Sequence, residues 1–203
     1  VYKRQIFAII MLMLTASVAM VNEVENKTIY RLRLSKVSVF ELMGGITVIQ
    51  IMVGILSVVL TIAVAAALGY RFEGAMLPVL LVVLLTTISI IVFSLFIAAF
   101  SKTATQVLII GNFPLFIFMF FTGAMFPVNL QPWFSVMDYN ISAISLLSPT
   151  HAVSALNKIL IMQLGLSDIL PEIICLLLLS VAYFIGGMWL YRRRHMAQIS
   201  GGK

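Results

Sequence analysis

The sequence predicts an all-α membrane protein, a polytopic helical bundle of five transmembrane helices, and three observations predict it. Hydrophobic residues make up 62% of the 203-residue chain and charged residues only 10%, whereas a soluble domain has roughly 45–50% apolar and about 25% charged residues. Mean hydropathy is +1.14. The apolar residues gather in uncharged runs near the ~20 residues a helix needs to cross a hydrocarbon core of about 30 Å. Finally, the Lys and Arg residues sit in short clusters beside those runs, the pattern that orients membrane spans. The net charge of +6 is therefore topogenic, and nucleic acid is not an expected partner.

The first span covers about residues 5–22. Glu23 to Lys36 then packs six of the chain's charged residues, Glu23, Glu25, Lys27, Arg31, Arg33 and Lys36, into fourteen positions. An amphipathic continuation through Val39 to Met43 leads to Gly44-Gly45, read as a break, so 23–44 forms a loop carrying a short coupling helix. The second span runs over 46–70, with Ala65 and Gly69 at the four-residue spacing that lets helices approach closely in lipid. After a polar turn at Arg71–Gly74, the third span covers 75–100; Pro78 falls in its first turns, where a missing N–H costs little. A second polar loop, Ser101–Gln106, leads into the fourth span at 107–124, which Pro114 is expected to kink.

The pattern changes at 126–166, which Pro127, Pro132 and Pro149 break but which stays apolar. Trp133 and Tyr139 favour the membrane interface, so short re-entrant helices in the outer leaflet are expected here. Ser148-Pro149 reads as an N-cap followed by proline at the first helical position, starting a helix to about Met162. Ser167-Asp168 opens the last span, 169–191, closed by Arg192-Arg193-Arg194-His195. Residues 1–203 thus read as one transmembrane domain.

Five spans put the two termini on opposite sides. Placing the 23–44 loop, the Lys102 loop and the C-terminal tail in the cytoplasm gives that side nine of the 13 Lys and Arg residues; only Lys3, Arg4, Arg71 and Lys158 fall outside. The expected location is a cell membrane, multi-pass. A single cysteine, Cys175, excludes a disulfide framework within the chain. The sequence contains no Gly-x-x-x-x-Gly-Lys-Ser/Thr segment, no Gly-x-Ser-x-Gly elbow and no metal-ligand spacing. Catalytic residues, cofactors and metals are therefore not expected.

Several motifs carry a resemblance. Glu23-x-Glu25-x-x-Thr28-x-x-x-Leu32-x-x-Ser35, directly after a span, resembles the cytoplasmic signature of the ABC type-2 permeases, the membrane subunits of ATP-binding cassette exporters. Glu41-Leu-Met-Gly44 is similar to the family's entry into the next span, and Ser101-Lys102-Thr103 with Gln106 to its second cytoplasmic loop. Gly123-x-x-Phe126-Pro127 with Pro132-Trp133 resembles its outer-leaflet motif, and Leu147-Ser-Pro149-Thr-His151 its outer helix start. The family pattern has Gly, Pro and Lys where this chain has Lys27, Lys36 and Gly45. The resemblance implies a permease domain that works as a homo- or heterodimer in the bilayer, with ATP bound by a separate ABC ATPase. It also implies that the family's first span is absent from this sequence, which begins at Val1.

On that resemblance Glu23, Glu25, Thr28, Arg31, Leu32, Ser101 and Lys102 form the ATPase-coupling surface, and Gly123, Phe126, Pro127, Pro149 and His151 the outer gate. The substrate class left open is a drug, lipid or other amphiphile, moved outward by alternating access. Other readings stand beside these. The glutamates also mark a membrane boundary, and the loop cations attract anionic headgroups. His151 reads either as an intramembrane functional group or as a hydrogen-bonded residue in the first turn of an outer helix. Asp138, Lys158 and Asp168 read either as the lining of a substrate exit or, more simply, as solvated loop charges. A non-transporting assembly subunit and an intramembrane enzyme are the rival functions, the latter lacking a polar catalytic pair.

Overall fold

The computed structural model describes residues 2–26, 39–69, 76–123, 134–136, 139–141 and 143–200. Six α-helices make up almost all of it: α1 Tyr2–Glu25, α2 Val39–Ala67, α3 Met76–Phe100, α4 Ala104–Phe121, α5 Ser148–Leu160 and α6 Leu170–Ser200. Among the described residues, four stretches are long and apolar enough to cross a membrane, Met43–Thr61, Leu77–Phe100, Ala104–Phe121 and Leu166–Arg194. The apolar part of α1, Ala8–Glu23, is shorter than these.

Helix α3 is the centre of the bundle. It is apolar on every side, the mark of a helix enclosed by others, and Val82, Ile90, Leu95 and Ala98 are fully buried. Its hydroxyls are returned to its own backbone: Thr86 Oγ1 donates to Val82 O (2.7 Å) and Thr87 Oγ1 to Val83 O (2.8 Å), which removes their cost in an apolar interior. Helix α1 lays a stripe at helical spacing, Ile6, Ile9, Ile10, Met13 and Met20, into the same core. Ser17 Oγ donates to Met13 O and, at 3.2 Å, to Ser94 O of α3.

Glycines set the closest helix contacts, at positions other than the expected pair. A Cβ on Gly187 of α6 would stand 2.7 Å from Leu95 Cβ, and one on Gly54 of α2 would stand 2.5 Å from Thr87 Cγ2. Gly69 instead ends the turn after α2 with φ +82 and nothing within 4 Å among the described residues, so the Ala65–Gly69 spacing serves no helix contact at Gly69 among them. Gly44-Gly45 is likewise no break, because α2 runs through both. Glycine costs about 1 kcal/mol against alanine in a helix, less than backbone groups left unsatisfied in lipid. Helix α4 also continues through Pro114.

The described part of 126–166 differs from the expected run of short helices. Phe134–Val136 pairs antiparallel with Tyr139–Ile141, Phe134 opposite Ile141, and a 3₁₀ turn, Ala143–Leu146, leads into α5. Helix α5 starts at Ser148 as expected, but its N-cap is Leu147 with no side-chain cap, and Ser148 Oγ has no hydrogen-bond partner among the described residues. Pro149 supplies the fixed φ of the first turn and lacks the N–H that would need a partner there.

Candidate functional site

At one end of the bundle α1, α3, α4 and α6 meet. Glu25, exposed at the end of α1, accepts a hydrogen bond through Oε2 from the N–H of Ala104, the first residue of α4, at 3.0 Å. Thr103 Oγ1 accepts from Gln106 N (3.3 Å), and Gln106 Oε1 accepts from Lys102 N (2.8 Å). The first four N–H groups of a helix have no partner within it, and a carboxylate there also meets the positive end of the helix dipole. The 101–106 loop is thus a cap, and Glu25 is the part of it supplied from 79 residues away. Ser101 is buried, its Oγ donating to Ile97 O (2.9 Å); Lys102 is exposed and Glu23 half-buried. Arg194, at the far end of α6, lies over the Phe100 ring at 4.2 Å. Of the expected coupling residues, the structure brings Glu25 to the Ser101–Lys102 loop, while Thr28, Arg31 and Leu32 lie outside the described residues.

The opposite end is closed by α5. Gly123, with φ +81, follows Thr122, the C-cap of α4; glycine adopts this left-handed conformation without strain and ends helices with it. His151 is 2% exposed, and its Nε2 lies 2.6 Å from Ser145 O. Thr150 Oγ1 donates to Ile144 O (2.8 Å), and Tyr183 OH of α6 donates to Leu146 O. Three side chains thus hold the carbonyls of the 3₁₀ turn. Burial pushes the His151 pKa below its ordinary 6.5; the Ser145 hydrogen bond and the Glu172 charge oppose that shift. Phe126, Pro127 and Asp138 lie outside the described residues.

The sequence reading of Lys158 as a solvated loop charge is overturned. Lys158 Nζ stands 2.7 Å from Glu172 Oε1, and Glu172 is fully buried. Ser154 Oγ donates to the same oxygen at 3.1 Å, Lys158 Nζ also donates to Asp168 O at 3.2 Å, and Glu172 Oε2 has no hydrogen-bond partner among the described residues. Asp168 acts locally, its Oδ2 accepting from Gly165 N at 3.1 Å. Glu172 was missed, although a signal existed. A carboxylate opening an apolar helix is expensive alone, and His151, Ser154 and Lys158 recur at spacings of three and four residues, on one helix face.

Long apolar helices, joined at one end by a charged cap and closed at the other around a buried ion pair, define a multi-pass helical membrane protein. The chain belongs to the ABC-2 type transporter family, whose model matches residues 5–160, from α1 through α5. No curated protein and no solved structure matches it. The matched domain is a transport permease component and not a catalytic one, and the family implies an ABC ATPase partner in a membrane.

Proposed function

We propose that the chain is the permease of an ATP-driven exporter that moves an amphiphile out of the cytoplasm by alternating access, as a dimer with separate ATPase subunits. In this reading α1 is a fifth span, the end holding Glu25, Lys102 and Arg194 faces the cytoplasm, and the ATPase docks on 23–44 and 101–106. The observation that carries it is the Glu25–Ala104 hydrogen bond. It ties the exit of α1 to the base of α4, so a load on either loop reaches both helices at once. Because α1 packs in the core against α3, that load enters the bundle interior. ATP hydrolysis belongs to the partner; this chain's part is to pass the movement on. The outer gate is assigned to Gly123, Phe126, Pro127, Pro149 and His151, with the route between two permeases.

Copurification from native membranes tests the docking claim. Glu23→Arg with Lys102→Glu is expected to release the ATPase without lowering the melting temperature of the permease, and undiminished association refutes docking at these loops. Orientation is read by labelling Lys102→Cys with an impermeant thiol reagent, which is expected to react only after the membrane is opened.

A further inference from the structure

A groove of about 540 Å³ runs between α3 and α4. Phe93, Phe96 and Phe100 line one wall and Phe113, Pro114 and Phe118 the other. The aromatic wall is held in place: Phe93 lies 4.9 Å from Phe118 and 5.0 Å from Tyr183 of α6, ring centre to ring centre. From Phe93 to Phe100 the wall is about 10 Å long at the rise of an α-helix, two thirds of the ~15 Å depth of one leaflet's hydrocarbon. At its end stands Arg194, its guanidinium carbon over the Phe100 ring at 4.2 Å from the ring centre. A guanidinium carries five N–H donors in a planar fork that suits a planar or phosphate acceptor. Arg194 has no carboxylate within ion-pair distance among the described residues, and exposed Arg192, Arg193 and Lys102 lie at the same end of the bundle.

We propose that this groove holds one acyl chain of an anionic phospholipid, with its phosphate on Arg194. The walls offer a ligand apolar contact along their length, and among the described residues the charge stands only at the mouth. That is the complement of a chain with an anionic head and not of a neutral lipid. Basic groups between helices at a membrane surface bind such headgroups, and the rigid aromatic wall makes the site preformed, which lowers the ordering cost of binding. The site needs only a membrane location and is independent of the direction of transport.

The test is native mass spectrometry of the protein, purified in mild detergent with the subunits that accompany it, delipidated and titrated with phosphatidylglycerol or phosphatidylcholine. Phosphatidylglycerol is expected to be retained about five-fold more than phosphatidylcholine, the effect of one basic residue near a membrane surface. Arg194→Gln, an exposed position, is expected to bring the two lipids level, and Arg194→Lys to keep part of the difference. Ile110→Trp, which fills the groove, is expected to reduce both. Equal retention of the two lipids by the wild type, or an undiminished preference in Arg194→Gln, overturns the proposal. So does efficient disulfide formation between Phe113→Cys residues of two copies in native membranes, which makes the occupant a second chain.

Discussion

Removing the Lys158 ammonium is the most demanding test of how α5 is fixed to α6. The two charges stand 2.7 Å apart, with the Glu172 side chain fully buried and that of Lys158 29% exposed. In Lys158→Met the apolar stem stays, but among the described residues the buried carboxylate keeps only the Ser154 hydroxyl as hydrogen-bond partner. Breaking a buried pair costs about 3–5 kcal/mol. The lysine side of the pair is partly exposed, so the lower end applies, about 3 kcal/mol, or roughly 6–12 °C in melting temperature for a chain of this size. Glu172→Gln on the same background removes the uncompensated charge while leaving an acceptor for Ser154, and should recover most of the loss. The four-protein cycle, melted in detergent with intrinsic fluorescence as readout, should give a coupling of at least ~2 kcal/mol. A melting shift below about 2 °C in Lys158→Met, or a double variant no better than the single, refutes a structural role for the pair.

Three further outcomes follow from the same geometry. Glu25→Ala removes the part of the α4 cap that reaches Ala104 and is expected to cost about 1 kcal/mol, seen as faster amide exchange at Ala104; unchanged exchange there means the bond does not form in solution. Gly187→Ala forces a Cβ to 2.7 Å from Leu95 Cβ and is expected to cost about 1–3 kcal/mol through overpacking, whereas Gly44→Ala, with nothing within 4 Å, should leave stability equal or higher; melting the two side by side decides it. Burial holds the His151 pKa below 6.5. The unfolded chain takes up its proton as pH falls through about 6.5 while the folded chain does not. Stability should therefore be level above pH 7 and fall as pH drops from 6.5 towards the folded midpoint, a fall that His151→Gln abolishes in a series of melts across pH.

How far the site was legible in the sequence depends on whether the signal is local. The four long spans, the helix starting at Ser148 and the charged exit of the first helix are visible in one dimension, because each follows from the run length of apolar residues or from a proline fixing a helix start. Glu25 was legible as a notable residue but not as the cap of α4. Its partner is a backbone N–H, which carries no sequence mark. Lys158 was misread and Glu172 missed for a related reason. A charge is judged solvated or buried by what lies across from it, and the element across from α5 is the start of α6.

Gly44-Gly45 and Gly69 show the same limit from the other side. A glycine's pattern in the chain does not reveal whether a neighbouring helix comes close, and the close approaches fall at Gly54, Gly111 and Gly187. The sequence by itself determined that this is a helical membrane protein, because the bilayer demands long apolar runs whose backbone bonds are satisfied within each helix. Only the tertiary structure decided which helix sits at the centre, which charges pair and which loops are tied together. In lipid, every apolar face is equally comfortable outside or inside, so packing depends on shape and on a few polar groups finding each other.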